Sequence, residues 1–341
     1  MKFPEKISKI TVLGGGSWGT AMAILLAEKG LPVTIWEYLS ENVLLLQKDR
    51  ENKKYLSGIK IPQNVQITDN LEEALKNSEI VLVVLPSHTV RSHMQKIARM
   101  KIDPYAFVIL SKGLENDTFF RMSEVVKDCL GKEYSERIIT LSGPSHAEEV
   151  SRQFPTTVVV AGSNQELLEY IQKVFSNDYF RIYTNPDQIG VELGSSMKNI
   201  IAIACGISDG LGYGDNTKAG IITRGLAEIS RFVIAQGAKP ATFMGLSGLG
   251  DLVVTCTSRH SRNRKLGELI GQGNTLSQAL EKMIMIAEGV KTSKSAFELS
   301  QKNKIDMPIT SEVYKVLYEN QSPLDAVNNL LKRKQKSEIG G

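Results

Sequence analysis

The sequence predicts an α/β protein in which an N-terminal, doubly wound, mostly parallel sheet is followed by an all-helical C-terminal domain. Three observations point there. Gly14, Gly16 and Gly19 have the spacing G-x-G-x-x-G, directly after the apolar run Ile10–Leu13 and at the start of a helical pattern. Short β-rich runs then alternate with helical segments as far as about Pro186. Beyond Gln188 long helical windows take over, interrupted by glycine-rich loops instead of strands.

The first glycine allows a tight turn out of a strand, the second lets the backbone approach a pyrophosphate, and the third lets helix pack on strand. The phosphates then lie at the N-terminus of the helix expected over residues 17–29. Val33–Trp36 reads as a second strand that ends in Glu37, 23 residues after Gly14, where an acid accepts hydrogen bonds from an adenine ribose. Together these features make the first part Rossmann-like and a plain glycine turn the weaker reading.

Further strands are expected at 65–67, 80–85, 107–110, 138–141, 157–160 and 180–183, with a helix at 71–76. The run 81–85 is apolar at every residue, as in a strand covered on both faces. In the second half helices are expected at 188–207, 216–236, 277–283, 288–303 and 310–318. The division is therefore a dinucleotide-binding domain over 1–187 and a helical substrate and catalytic domain over 188–341, with a polar, frayed tail from Lys332.

The 341 residues suit two domains, and 42% hydrophobic with 23% charged content is ordinary for a globular chain. A net charge of +4 makes no case for a nucleic-acid or membrane partner. Cys129, Cys205 and Cys256 cannot all pair and lack metal spacing, which fits a reducing, cytoplasmic setting. The histidines (His88, His93, His146, His260) are scattered, so no metal site is expected; His88 and His93 read as surface residues. The N-terminal apolar run reaches glycine after four residues, too short for a signal-peptide core, and no stretch of about 18 apolar residues suggests a membrane span.

Three places could carry chemistry. Lys198 interrupts a largely apolar helix, and so either snorkels to the surface or sits in a polar pocket where its ammonium could protonate a carbonyl. Asp251 ends the glycine-rich stretch 245–251, which reads as a loop approached closely by something or as a turn with a capping acid. If Asp251 meets Lys198, it would keep the ammonium charged and in place. Residues 258–264, Ser-Arg-His-Ser-Arg-Asn-Arg, suit a phosphate or form a solvated charge run. The loops at 111–113 and 142–147 follow strands, at the ends where ligands bind in open α/β sheets.

Taken in order, these motifs closely resemble the bacterial NAD(P)-dependent glycerol-3-phosphate dehydrogenases over nearly the whole chain. The stretches concerned are 14–21 (GGGSWGTA), 111–113 (SKG), 142–150 (SGPSHAEEV), Lys198-Asn199, 206–220 (GISDGLGYGDNTKAG), 223–225 (TRG), 245–252 (GLSGLGDL), 255–258 (TCTS), 261–264 (SRNR) and Glu288-Gly289. The resemblance implies reversible reduction of dihydroxyacetone phosphate to sn-glycerol 3-phosphate with NAD(H) or NADP(H), supplying glycerophospholipid synthesis; a homodimer is expected for a fold of this kind. It implies Lys198 as proton donor and acceptor, with Asp251 and Lys112 beside it. Lys112, Gly143, Ser145, Lys198, Asp251, Ser261, Arg262 and Asn263 would form the substrate site. Ser17, Trp18, Lys112, Ala147, Arg262, Ile286 and Glu288, with Gly14, Gly16, Gly19, Glu37 and Tyr38, would contact the cofactor. Where many relatives carry Arg or His after the second strand, this chain has Glu37-Tyr38, and a carboxylate there favours NAD over NADP. Ser195-Ser196-Met197 stands where relatives often have Gly-Ala-Leu, and no chemistry is assigned to either serine. The alternatives are a non-catalytic dinucleotide sensor on the same fold, or a related ketopantoate or hydroxyacyl-CoA reductase. The intact Lys198, Asp251 and Arg262 count against the sensor.

Overall fold

The strands that build the first part are β1 (Ile10–Leu13), β2 (Val33–Trp36), β3 (Val65–Thr68), β4 (Ile80–Val83), β5 (Ala106–Ile109), β6 (Ile138–Ser142), β7 (Thr156–Ala161) and β8 (Phe180–Asn185). This is a computed structural model describing residues 3–100, 102–283, 285, 287–335, 337 and 338. The eight strands form one sheet in the order β3-β2-β1-β4-β5-β6-β7-β8. Neighbours run parallel except β6 and β7, which pair antiparallel. The fold class is the one the alternating pattern predicts. The strand expected over 80–85 stops at Val83, because Pro86 and the short turn Ser87–Thr89 redirect the chain. A hairpin of Glu51–Asn52 and Leu56–Lys60 was not legible from periodicity.

Strands β1, β2, β4 and β5 are buried at every residue, which is why they read as apolar runs without alternation. Order reverses between β2 and β4 on either side of β1, so the crevice beyond the C-terminal ends of these strands is the ligand position of an open α/β sheet. The helix Ser17–Glu28 starts there.

After Asn185 the described residues contain helices and loops but no strand. The central helix Gln188–Gly210 is buried along almost its whole length. Its most extensive helix partner among the described residues is Arg262–Gly271. Glycines make this approach possible. A methyl group at Gly206 or Gly210 would overlap the carbonyls of Arg264 and Glu268, and one at Gly267 or Gly271 those of Ile203 and Ile207. Each helix thus presents a Gly-x-x-x-Gly face to the other, and backbone meets backbone. The remaining helices, including Asp215–Ala235, Gly289–Lys302 and Pro308–Tyr318, wrap a second core around Ile200, Ile203, Phe232 and Leu266. No described helix is long and apolar enough to cross a membrane.

Gly267→Ala is expected to lower stability by about 3 kcal/mol through overpacking. The urea midpoint should fall accordingly, and an unchanged midpoint would mean that the two helices are not held by backbone contact.

Candidate active site

The glycine loop has the conformation its residues allow. Gly14 adopts φ +114°, and a Cβ there would lie 2.7 Å from the carbonyl oxygen of Val84. A methyl group at Gly19 would overlap the Gly14 carbonyl, so the helix can lie against the strand only through glycine. Gly16 differs, since a Cβ there would meet nothing within 4 Å. The space above it belongs to a cleft of about 680 Å³ running from the glycine loop to Lys198 and Arg262. The helix Ser17–Glu28 has no side chain capping its N-terminus, so its first N–H groups remain available at this cleft. An open approach at Gly16 beside an uncapped helix start fits a pyrophosphate.

One Glu37 carboxylate oxygen accepts the Gly15 N–H at 3.0 Å and the other the Leu39 N–H at 3.2 Å. That fixes the acid on the cleft wall at the end of β2. Tyr38 is mostly exposed at the rim, edge-on to Trp36 and His93. Trp18 and Ala147 also line the cleft. His93 departs from the surface residue expected. Its Nδ1 lies 2.7 Å from the Thr89 carbonyl and its ring 5.3 Å from Trp36, because the helix Val90–Ala98 turns this face toward β2.

At the other end of the cleft, Lys198 from the central helix and Asp251 from the start of the helix Asp251–Thr257 form a buried ion pair. Lys198 Nζ also donates to Thr255 Oγ1 at 2.7 Å. Thr255 lies one turn after Asp251 on the same helix face, a spacing that could have identified it in the sequence. Lys112, in the loop after β5, donates to the other Asp251 oxygen at 2.8 Å. One carboxylate therefore holds two ammonium groups, one from each part of the chain.

These contacts set the proton affinities. Burial pulls the Lys198 pKa down to about 7; Asp251 opposes the shift and Lys112 adds to it. Burial works to raise the Asp251 carboxyl, but Lys112 and Lys198 outweigh it and hold the acid below its ordinary value. Burial, and then the Lys198 charge, lower the His146 pKa to about 4, so its ring is neutral at pH 7. His146 and His260 face one another at 5.9 Å on the cleft wall.

Gly143 and Ser145 follow β6. Gly143 has φ +136°, and Ser145 Oγ donates to its carbonyl at 3.0 Å. Across the cleft, Ser261 Oγ accepts the Arg264 N–H at 3.2 Å and so caps the helix Arg262–Gly271. Asn263 Oδ1 accepts the Gly289 N–H at 2.9 Å, which leaves its amide nitrogen free to donate. The Arg262 side chain is exposed at the cleft and, among the described residues, pairs with no carboxylate. Arg264 instead bonds Asp209 at 2.6 Å, away from the cleft. The basic segment is thus partly helix cap, partly buried tie and partly free cation.

Glu288 receives the Ser87 hydroxyl at 2.6 Å, and burial raises its carboxyl pKa. Ser87, like Thr255 and His146, has no role in the sequence reading; it meets Glu288 only in the tertiary fold. The remaining expected cofactor contact, Ile286, lies outside the described residues.

A nucleotide cradle at the switch point of a parallel sheet, open at its far end to a buried lysine near neutral pKa, is the arrangement of a two-domain nicotinamide-dependent dehydrogenase. Comparison with known proteins narrows that class. Residues 9–168 match the family described as NAD-dependent glycerol-3-phosphate dehydrogenase N-terminus, and residues 187–328 match its C-terminus. A glycerol-3-phosphate dehydrogenase [NAD(P)+] from Thermoanaerobacter sp. is 51% identical over 333 residues, covering 98% of this chain and 99% of that one. The crystal structure of glycerol-3-phosphate dehydrogenase from Coxiella burnetii superposes with a TM-score of 0.92 at 38% identity, covering 97% of this chain and all of the other. A ketopantoate reductase from Ralstonia eutropha, at 11% identity and TM-score 0.60, shares the fold alone. The chain belongs to the NAD-dependent glycerol-3-phosphate dehydrogenase family, and is an NAD(P)-dependent oxidoreductase acting on a CH–OH group.

Gly16→Ala should leave the melting temperature within about 2 °C while weakening NADH binding at least about tenfold, since the added methyl group enters only the cleft. Fluorescence titration with NADH checks this, and unaltered affinity would remove the glycine loop from the cofactor site.

Proposed function

We propose that this cleft carries out the reversible reduction of dihydroxyacetone phosphate to sn-glycerol 3-phosphate, the product that supplies glycerophospholipid synthesis. Residues 1–187 hold the cofactor in this reading, and residues 188–341 bring the substrate-binding and catalytic groups to it. The observation that carries it is the shared Asp251 carboxylate, which holds Lys198 and Lys112 on the same cleft as the start of the helix Arg262–Gly271. A nicotinamide cofactor held in this cleft would supply the hydride. Lys198 donates its proton to the ketone oxygen as negative charge develops there, and takes it back in the reverse direction. Asp251 and Thr255 orient the ammonium. Arg262, the backbone N–H groups at its helix start and the Asn263 amide hold the phosphate, with Ser261 and Ser145 on the wall and Gly143 positioning Ser145 through its carbonyl. Lys112 supplies a second cation to the substrate. Gly14, Gly16, Ser17, Trp18 and Gly19 receive the pyrophosphate side of the cofactor, with Ala147 and Glu288 further along the cleft. The working form is a cytoplasmic homodimer, a reading supported by the three free thiols and by the prevalence of two-fold symmetry among soluble oligomers.

Absorbance at 340 nm with dihydroxyacetone phosphate and NADH tests the reaction. Turnover is expected, and binding of NADH without turnover would favour the sensor. Lys198→Ala should lose most of kcat and retain NADH binding, whereas Arg262→Ala should mainly raise KM. Because reduction needs Lys198 charged, kcat/KM for the ketone should fall as pH rises through about 7; oxidation of glycerol 3-phosphate needs it neutral and should rise over the same range. A flat profile in both directions would exclude Lys198 as the proton donor.

Glu37 accounts for cofactor choice. Its carboxylate, already bonded to Gly15 N–H, accepts from a ribose hydroxyl and repels a 2′-phosphate. NADH should exceed NADPH at least about tenfold in kcat/KM, and Glu37→Ser should narrow the gap. Equal use of both by the wild type would leave Glu37 with a purely structural role.

A further inference from the structure

We propose that Ser196 is the positioning residue for Lys112, holding the Lys112 loop against the central helix through the backbone N–H of Gly113. The inference rests on the reading of Lys112 as a substrate-binding cation. Ser196 is buried, and its Oγ accepts the Gly113 N–H at 2.9 Å while donating to the Glu192 carbonyl at 2.7 Å. A hydroxyl has one proton and spare lone pairs, so both bonds form at once with defined directions. On the other flank of Lys112, Ser111 Oγ donates to the Leu85 carbonyl at 2.5 Å. Gly113 also packs closely on Ser87, since a Cβ there would lie 2.8 Å from Ser87 Cβ. The backbone of Lys112 is thereby fixed on both sides, and its flexible four-carbon stem needs to order only itself to reach Asp251.

The turn that offers Ser196 is itself anchored. The Glu192 carboxylate accepts the Ser123 N–H at 2.9 Å, the Ser123 hydroxyl at 2.5 Å and Arg121 Nη1 at 2.7 Å, all from the sheet part of the chain. Ser195 supplies an internal control. It is equally buried and also donates to the Glu192 carbonyl, at 3.0 Å, but makes no hydrogen bond to the Lys112 loop. This gives the two serines, unexplained in the sequence, separate roles: both tie to the helix turn, and Ser196 alone crosses to the loop.

Ser196→Ala and Ser195→Ala, compared in the full chain, test the assignment. Hydrogen–deuterium exchange at Gly113 should rise at least about fivefold in Ser196→Ala and stay at the wild-type rate in Ser195→Ala. KM for dihydroxyacetone phosphate should rise about three- to tenfold in Ser196→Ala, the effect of leaving a buried N–H without its partner, with kcat and the NADH dissociation constant little changed. The descending limb of the pH profile for reduction should also move to higher pH, because a loosened Lys112 ammonium no longer presses on Lys198. Equal Gly113 exchange in the two variants overturns the proposal whatever the substrate. Faster exchange with wild-type KM and pH profile overturns it too, by showing that the bond does not position Lys112. A wild-type protein that binds NADH without reducing dihydroxyacetone phosphate instead removes the reaction, and with it the role given to Lys112.

Discussion

The backbone-to-backbone crossing of the central helix with the helix Arg262–Gly271 is the constraint on which the site depends. At Gly206, Gly210, Gly267 and Gly271 no Cβ stands between the helices, so at these points each backbone lies directly against the carbonyls of the other. Lys198 lies two turns before Gly206 on one helix, and Arg262 and Asn263 open the other. The closeness of the helices therefore fixes how far the lysine stands from the start of the helix Arg262–Gly271. Gly289 belongs to the same arrangement, since a side chain there would collide with Asn263 Oδ1 and with the Asn199 carbonyl.

Within that frame electrostatics decide the chemistry. Lys198 is almost entirely withdrawn from water, which disfavours its charge, and only Asp251 keeps the ammonium accessible near neutral pH. Removing one partner of such a pair typically costs about 3–5 kcal/mol, because the other is left buried and unpaired. Sharing the carboxylate with Lys112 changes the balance again. The second cation stabilises Asp251 as an anion and weakens its hold on the Lys198 proton. Lys112 also comes from the sheet part, so the proton affinity of Lys198 depends on how the two parts of the chain meet.

Their seam is correspondingly polar. Arg121 and Ser123 bond Glu192, Ser87 bonds Glu288, Asn116 bonds Ser295 and Gly113 bonds Ser196. Hydrogen bonds with fixed directions set an orientation that apolar packing alone would leave less defined. In the proposed reaction a hydride donor held on one side and a proton donor on the other would need that orientation, since misplacement by an ångström is costly to rate.

The sequence by itself determined the sheet, its nucleotide end and the change to helices near residue 188. These are local matters: apolar runs specify doubly covered strands, and the glycine spacing specifies a tight turn that requires glycine at Gly14 and Gly19. The order of motifs also brought Lys198, Asp251, Lys112 and Arg262 under notice, but each had an ordinary alternative, as a snorkelling lysine, a capped turn or a solvated charge run. Only the tertiary structure decided among these. It placed Asp251 on Lys198 from 53 residues away and Lys112 on Asp251 from 139 residues away, buried Ser261 and Asn263 as cap and tie, and left Arg262 free at the cleft. Thr255 was within reach of a helix-face argument; Ser87 and Ser196 were not. Their partners lie 201 and 83 residues distant, and a hydroxyl in sequence carries no sign of which distant N–H or carboxylate it will meet.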